Sequence, residues 1–141
     1  MNYYKAKTYQ DFKYISNLFK PENVEFFETK KISITELKKL NSNSRRNDYI
    51  LINDKKDKIG WFNIRQSINK KDGVFGIIID KKFQDRGYGK QAIKIILKEV
   101  KKLGIKKLKL TVFEDNLKAI HIYKKAGFQP VRKEIVMDKD I

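Results

Sequence analysis

A mixed α/β fold in one domain, residues 1–141, is expected from three features of the chain. Hydrophobic residues follow two periods: strict alternation in short runs such as Leu108, Leu110 and Val112, and a helical stripe in Ile93, Ile96, Leu97, Val100 and Leu103. Capping residues stand at the junctions between these runs. The resulting order is a strand, helices, three strands, then helix, strand, helix and closing strands, which suits a sheet with helices packed on it.

Tyr3 to Lys7 reads as a short strand. Thr8 with Asp11 three residues later forms a capping box, after which Phe12, Ile15, Leu18 and Phe19 recur at helical spacing. Pro21 opens a second stretch, PENVEFFETK. Ser33 and Glu36 make another capping box, for a short helix through Leu40. A polar loop, Asn41 to Asp48, leads to strands over Tyr49–Ile52 and Ile59–Ile64, joined by the Asp54–Lys58 turn. Val74 to Ile79 is an apolar strand. Gly87 to Leu103 is a helix whose lysines Lys94, Lys98, Lys101 and Lys102 face water, and Gly104 stands at its C-terminal cap. Lys107 to Val112 is a strand with unequal faces. Asn116 caps a helix that runs to Ala126 and stops at Gly127. Phe128–Arg132 and Ile135–Met137 read as two final strands.

Composition bounds the function. The chain of 141 residues is 40% hydrophobic and 12% aromatic, enough for one packed core. It has no cysteine, which excludes disulfides and thiolate metal sites and points to the cytoplasm. The N-terminal MNYYKAKTYQDF lacks the apolar centre of a signal peptide. No run approaches the roughly 20 apolar residues of a membrane span, so no membrane partner is expected. A single histidine, His121, argues against a zinc enzyme, and no metal is expected. The formal charge of +16 suits a polyanion, yet only Arg45, Arg46, Arg65, Arg86 and Arg132 are arginines and the lysines are spread along the chain. Nucleic-acid readers rely on clustered cations and on arginine's planar fork, so nucleic acid is not expected as the main partner. A smaller bound anion fits the charge equally well.

The segment QDRGYGK, Gln84 to Lys90, is the chemical landmark. An apolar strand enters it and a strong helix leaves it. A helix start offers unpaired N–H groups and a positive dipole end, and glycines let a phosphate approach that backbone. Arg86 and Lys90 add charge at the same end. The plainer reading, that Gly87 and Gly89 only let the chain turn, stands beside it. Gly87 to Ala92 also matches G-x-G-x-x-A of dinucleotide-binding folds. Asp80 to Arg86 separate it from the strand, however, and too few residues follow for the rest of a doubly wound sheet.

A second landmark begins at Asn116: NLKAIHIYKKAGF, with Asn116, Ala119, Tyr123, Gly127 and Phe128 at fixed spacing. Together with IIIDKKFQDRGYG it resembles the GNAT superfamily of acyl-coenzyme-A-dependent N-acyltransferases. Gln84, Gly87 and Gly89 fill its Arg/Gln-x-x-Gly-x-Gly/Ala motif. The resemblance is specific from about Val74 to Phe128. The N-terminal half matches in element order only.

The resemblance implies a central mixed sheet with splayed parallel strands flanked by helices. It also implies transfer of an acetyl group from acetyl-coenzyme A to an amine acceptor. Cofactor contacts would come from Ile77, Ile78 and Ile79, from Gln84, Asp85, Arg86, Gly87, Tyr88, Gly89 and Lys90, and from Asn116, Ala119 and Tyr123. The loop would cradle the pyrophosphate. The Val74–Ile79 strand would bulge, and its free edge would pair with the pantetheine arm. Asn116 would sit near the arm, act as a plain N-cap, or do both. Tyr123 would protonate the departing thiolate; a half-buried packing role is its alternative. Glu114 is the candidate base, with Asp115 beside it, and a solvated loop or a water relay is the alternative for both. Asp85 replaces a common glycine and brings a negative charge near the phosphates. Glu22, Glu25 and Glu28, beside Phe26 and Phe27, form either an acidic rim suited to a cationic amine or a solvated face. A non-catalytic coenzyme A-binding domain is the alternative function. The protein is expected as a monomer or homodimer.

Overall fold

The computed structural model describes residues 1–23 and 31–141. Its elements are β1 (Asn2–Lys5), α1 (Tyr9–Leu18), α2 (Ile34–Asn41), β2 (Arg46–Ile52), β3 (Lys58–Gln66), β4 (Asp72–Ile79), a 3₁₀ turn (Lys81–Phe83), α3 (Tyr88–Lys102), β5 (Lys107–Lys109) and α4 (Leu117–Lys125). The five strands form one sheet in sequence order. β1 to β4 pair antiparallel, and β4 pairs parallel with β5. Among the described residues no helix is long and apolar enough to cross a membrane.

The caps form where the residue types place them. Thr8 accepts from the Asp11 N–H, and Asp11 accepts from the Thr8 N–H, closing the box that starts α1. At α2 only half of the expected box is present: Ser33 accepts from the Glu36 N–H at 3.1 Å. Each face of the sheet buries its own core. Phe12, Ile15 and Leu18 of α1 and Leu37 of α2 pack on Ile50, Trp61 and Ile78. Ala92, Ile93, Ile96 and Val100 of α3 pack on Leu51, Phe62, Ile64 and Phe75. On this second face Glu99 of α3 accepts from the hydroxyls of Tyr3 (2.5 Å) and Tyr49 (3.1 Å).

Three expectations fail at the sheet's open side. β4 and β5 pair only over Asp72–Val74 and Lys107–Lys109, then diverge. The strand expected over Lys107–Val112 therefore ends at Lys109, because alternation fixes a strand's faces but only a neighbour supplies its ladder. Leu110, Thr111 and Val112 line a cleft instead. The closing strands expected at Phe128–Arg132 and Ile135–Met137 do not form. Val131, Ile135 and Met137 are exposed, since β5 presents too short an edge for another strand to add. The expected bulge in Val74–Ile79 is also missing: β3 and β4 pair without a slip from Gly60↔Ile79 to Gln66↔Gly73. The irregularity lies at Leu51/Ile52 of β2.

Candidate active site

The divergence of β4 from β5 opens a cleft of ≈ 880 Å³ through the sheet. Its walls are β4 from Val74 to Ile79, the loop into α3, Leu110 to Phe113, and the first turns of α4. From Phe75 onward the β5 side of β4 carries no strand partner among the described residues. Ile77, Ile78 and Ile79 thus border the cleft, with Ile78 buried under α1 and the other two half-buried.

The Gln84–Lys90 loop closes one end. Gln84 donates from Nε2 to the Ile79 carbonyl at 2.8 Å, which ties the loop to the strand end. Asp85 (φ +62°) and Gly87 (φ +80°) adopt left-handed backbone, and Gly87 is the N-cap of α3. Gly87 carries that conformation without a Cβ penalty. The N–H groups of Arg86, Gly87, Tyr88, Gly89 and Lys90 donate to no protein acceptor among the described residues. They are the orphan donors of a helix start, with the positive end of the α3 dipole behind them. A Cβ on Gly89 would meet only Ile122 Cδ1, at 3.9 Å, so the space over the helix start is open. A glycine-lined nest of free N–H groups fits a pyrophosphate.

The charged side chains of the loop are partly spent. Asp85 pairs with Lys118 of α4; that hydrogen bond, with the lysine's charge, holds its carboxyl below the usual range. Its negative charge is thereby countered at the loop. The Arg86 guanidinium donates to the Lys82 carbonyl at 3.2 Å and stacks on Phe83, outside the cleft lining. Tyr88, Gly89 and Lys90 do line it.

α4 forms the opposite wall. Asn116 Oδ1 accepts from the Ala119 N–H at 3.3 Å, so Asn116 is an N-cap, and it also lines the cleft. Tyr123, one turn below Ala119, packs edge-on against Phe75 and Phe128, each with ring centroids 5.9 Å apart. Its hydroxyl has no protein partner among the described residues, and burial pushes its pKa up to about 12. Glu114 is not brought to the cleft: its exposed carboxylate accepts from Lys133 at 2.9 Å, and that bond holds its pKa low. Asp115 does border the cleft. His121 is exposed and outside the lining.

The face of the sheet toward α1 and α2 contributes residues that the sequence reading had not singled out. Arg46, Trp61, Asn63 and Arg65 line the cleft there, beside Val74, Gly76 and Ile78. The signal was present: Trp61, Asn63 and Arg65 alternate with Phe62, Ile64 and Gln66, so one face of β3 turns polar halfway along. Of the expected acidic rim, Glu22 is exposed and pairs with Lys20 at 3.0 Å. Glu25, Phe26, Phe27 and Glu28 lie outside the described residues.

A sequence model of the acetyltransferase (GNAT) family matches residues 12–128. Among curated proteins, the chain is 29% identical over 91 residues to the uncharacterized N-acetyltransferase YycN of Bacillus subtilis (strain 168), covering 62% of this chain and 57% of that protein. It is 38% identical over 52 residues to a probable spermine N(1)-acetyltransferase of Bacillus subtilis subsp. natto, covering 36% and 34%. The matches thus span less than two thirds of these relatives' own length. A crystal structure of spermidine N-acetyltransferase from Vibrio cholerae, in complex with CoA and spermine, superposes with a TM-score of 0.78. It is 24% identical and is matched over 89% of this chain and 79% of that one, a likeness of fold. With the family's pattern running across 12–128 and its splayed sheet present, the chain belongs to the acetyltransferase (GNAT) family.

Proposed function

We propose that the protein is an acetyl-coenzyme-A-dependent N-acetyltransferase acting on a primary amine. One observation carries this reading: the N–H groups of Gly87, Tyr88, Gly89 and Lys90 and the β5-side edge of β4, all unpaired among the described residues, open onto a single cleft that Tyr123 lines from the other wall. Family membership and the fold shared with an enzyme crystallised with CoA support it.

In this reading the amides of residues 87–90 hold the pyrophosphate against the α3 dipole. The edge at Ile77–Ile79 takes the pantetheine arm as an added strand, and an N–H near Ile77 polarises the thioester carbonyl. Asn116, its oxygen occupied by the cap, keeps its amide N–H₂ for the arm. Ala119, small and in the first turn of α4, lets that arm pass. Bound acetyl-coenzyme A supplies an activated acyl carbon, which bonds to the amine nitrogen as the carbon–sulfur bond breaks. Tyr123 gives its hydroxyl proton to the leaving sulfur and regains it from solvent. The amine proton passes to water in the open cleft.

The test is acetyl-coenzyme A binding by calorimetry, together with thiol release across a panel of primary amines. Binding with amine-dependent release is expected. Binding without release from any amine would leave a coenzyme A-binding domain, and absence of binding would overturn both.

A further inference from the structure

We infer that the acceptor amine carries a carboxylate, held by Arg65 and Asn63 beside β4; this rests on the N-acetyltransferase reading above and names its substrate class. Arg46 and Arg65 are direct cross-strand partners, on the face toward α1 and α2. Like charges placed so are unfavourable. Arg46 is neutralised by Asp48, through Nε at 2.9 Å and Nη2 at 3.3 Å. Asp48 is fully buried and also accepts from Trp61 Nε1 at 2.7 Å and Asn41 Nδ2 at 2.6 Å. Its two oxygens then hold four donors and have no capacity left. Arg65 consequently has no ion pair among the described residues. It stands exposed in the cleft, a cation with no carboxylate paired to it among the described residues.

Asn63 adds a second donor two residues away on the same face. Its Oδ1 accepts from the Gly76 N–H at 2.8 Å, which sets the orientation of the amide. The Nδ2 group has no partner among the described residues, although Asn63 is only 3% exposed. Gly76 keeps the floor open there, since a Cβ would lie 3.2 Å from Asn63 Oδ1. A planar guanidinium fork and an amide N–H₂ over an uncovered strand match a carboxylate. Arg65 is level with Val74, three residues or about 10 Å along β4 from Ile77. With the reach of the Arg65 side chain, an amino acid or the end of a short peptide spans that interval. A polyamine would need carboxylates instead. Among the described lining residues those are Asp85, paired to Lys118, and Asp115 on the far wall.

The experiment compares kcat/KM in the thiol-release assay for matched acceptors: free amino acids, their C-terminal amides, dipeptides and spermidine. Free carboxylates should be preferred over the amides by roughly 10- to 100-fold, the worth of a charge-assisted hydrogen bond. Dipeptides show whether the carboxylate belongs to a free amino acid or to a peptide end. Arg65→Gln should abolish the preference through KM, with acetyl-coenzyme A affinity unchanged, and Arg65→Lys should restore part of it. Equal rates for acids and amides, a preference for spermidine, or a preference surviving Arg65→Gln would each overturn the inference and leave the acetyltransferase reading standing. Release from no amine at all would overturn that reading and this inference with it.

Discussion

Replacing Tyr123 by Phe removes one oxygen and leaves the ring. The edge-on contacts with Phe75 and Phe128 depend on the ring and persist. The hydroxyl has no protein partner among the described residues, so its loss strands no buried group. The melting temperature should hardly move, within the ±0.5 kcal/mol of a neutral substitution. Catalysis should respond far more. The hydroxyl pKa stands near 12, and a free thiol near 8.5. The mismatch is about 12 − 8.5 = 3.5 units, or roughly 5 kcal/mol uphill, if the sulfur kept its solution pKa. It does not keep it in the same water-poor wall: burial that destabilises the phenolate also destabilises the thiolate, and the gap narrows. Positioned acid catalysis is worth about 10²–10⁴-fold, so a residual mismatch still leaves at least a tenfold fall in kcat. The assay is single-turnover acetyl transfer, where chemistry limits the rate, with acetyl-coenzyme A affinity measured alongside. The sign of the pH dependence follows from the raised pKa: Tyr123 stays protonated, and able to donate, at every pH below about 12. The rate should therefore rise with pH as the amine deprotonates and show no basic limb near pH 10. Full kcat in the variant, or a limb at the ordinary tyrosine pKa, would refute the acid role.

The other expectations follow from the same geometry. Gly89→Asp should weaken acetyl-coenzyme A binding at least tenfold in calorimetry while the fold survives, because a Cβ there has room but a carboxylate faces the phosphates; equal affinity would remove the loop from the site. Asp48→Asn leaves Arg46 without its charge partner beneath the cleft and should lower stability by about 3–5 kcal/mol in urea unfolding; a loss below 1 kcal/mol would show that the network matters little. Alkaline stability should fall between pH 10 and about 12, since Tyr3 and Tyr123 are both raised to about 12 by burial. Unfolded tyrosines ionise near 10 while the folded ones hold their protons, so the unfolded state is favoured as pH rises through that window. A denaturation midpoint flat from pH 9 to 12 would contradict the burial of these rings.

Local chemistry settled much of the molecule. Thr8–Asp11, Ser33 and Asn116 begin helices because each side chain can satisfy N–H groups a few residues away, a matter of short-range geometry. Gly87 and Gly89 were legible as a nest for the same reason: a strand before, a helix after, and no Cβ between. The family pattern in residues 84–89 and 116–128 falls on stretches that contribute to two walls of the cleft. Tertiary structure decided what depends on neighbours. Alternation in Leu108–Val112 and Ile135–Met137 described faces that strands could have, yet the ladder stops at Lys109 because β4 and β5 part there. Glu114 stood near the site by topology, but its side chain turns outward to Lys133. Arg65 was one of five scattered arginines. It is left without an ion pair among the described residues because cross-strand pairing sets it opposite Arg46 and because Trp61, Asn41 and Arg46 fill every acceptor position on Asp48. A residue's type and spacing dictate what it can bond to, and the packed chain dictates which of those partners is already taken.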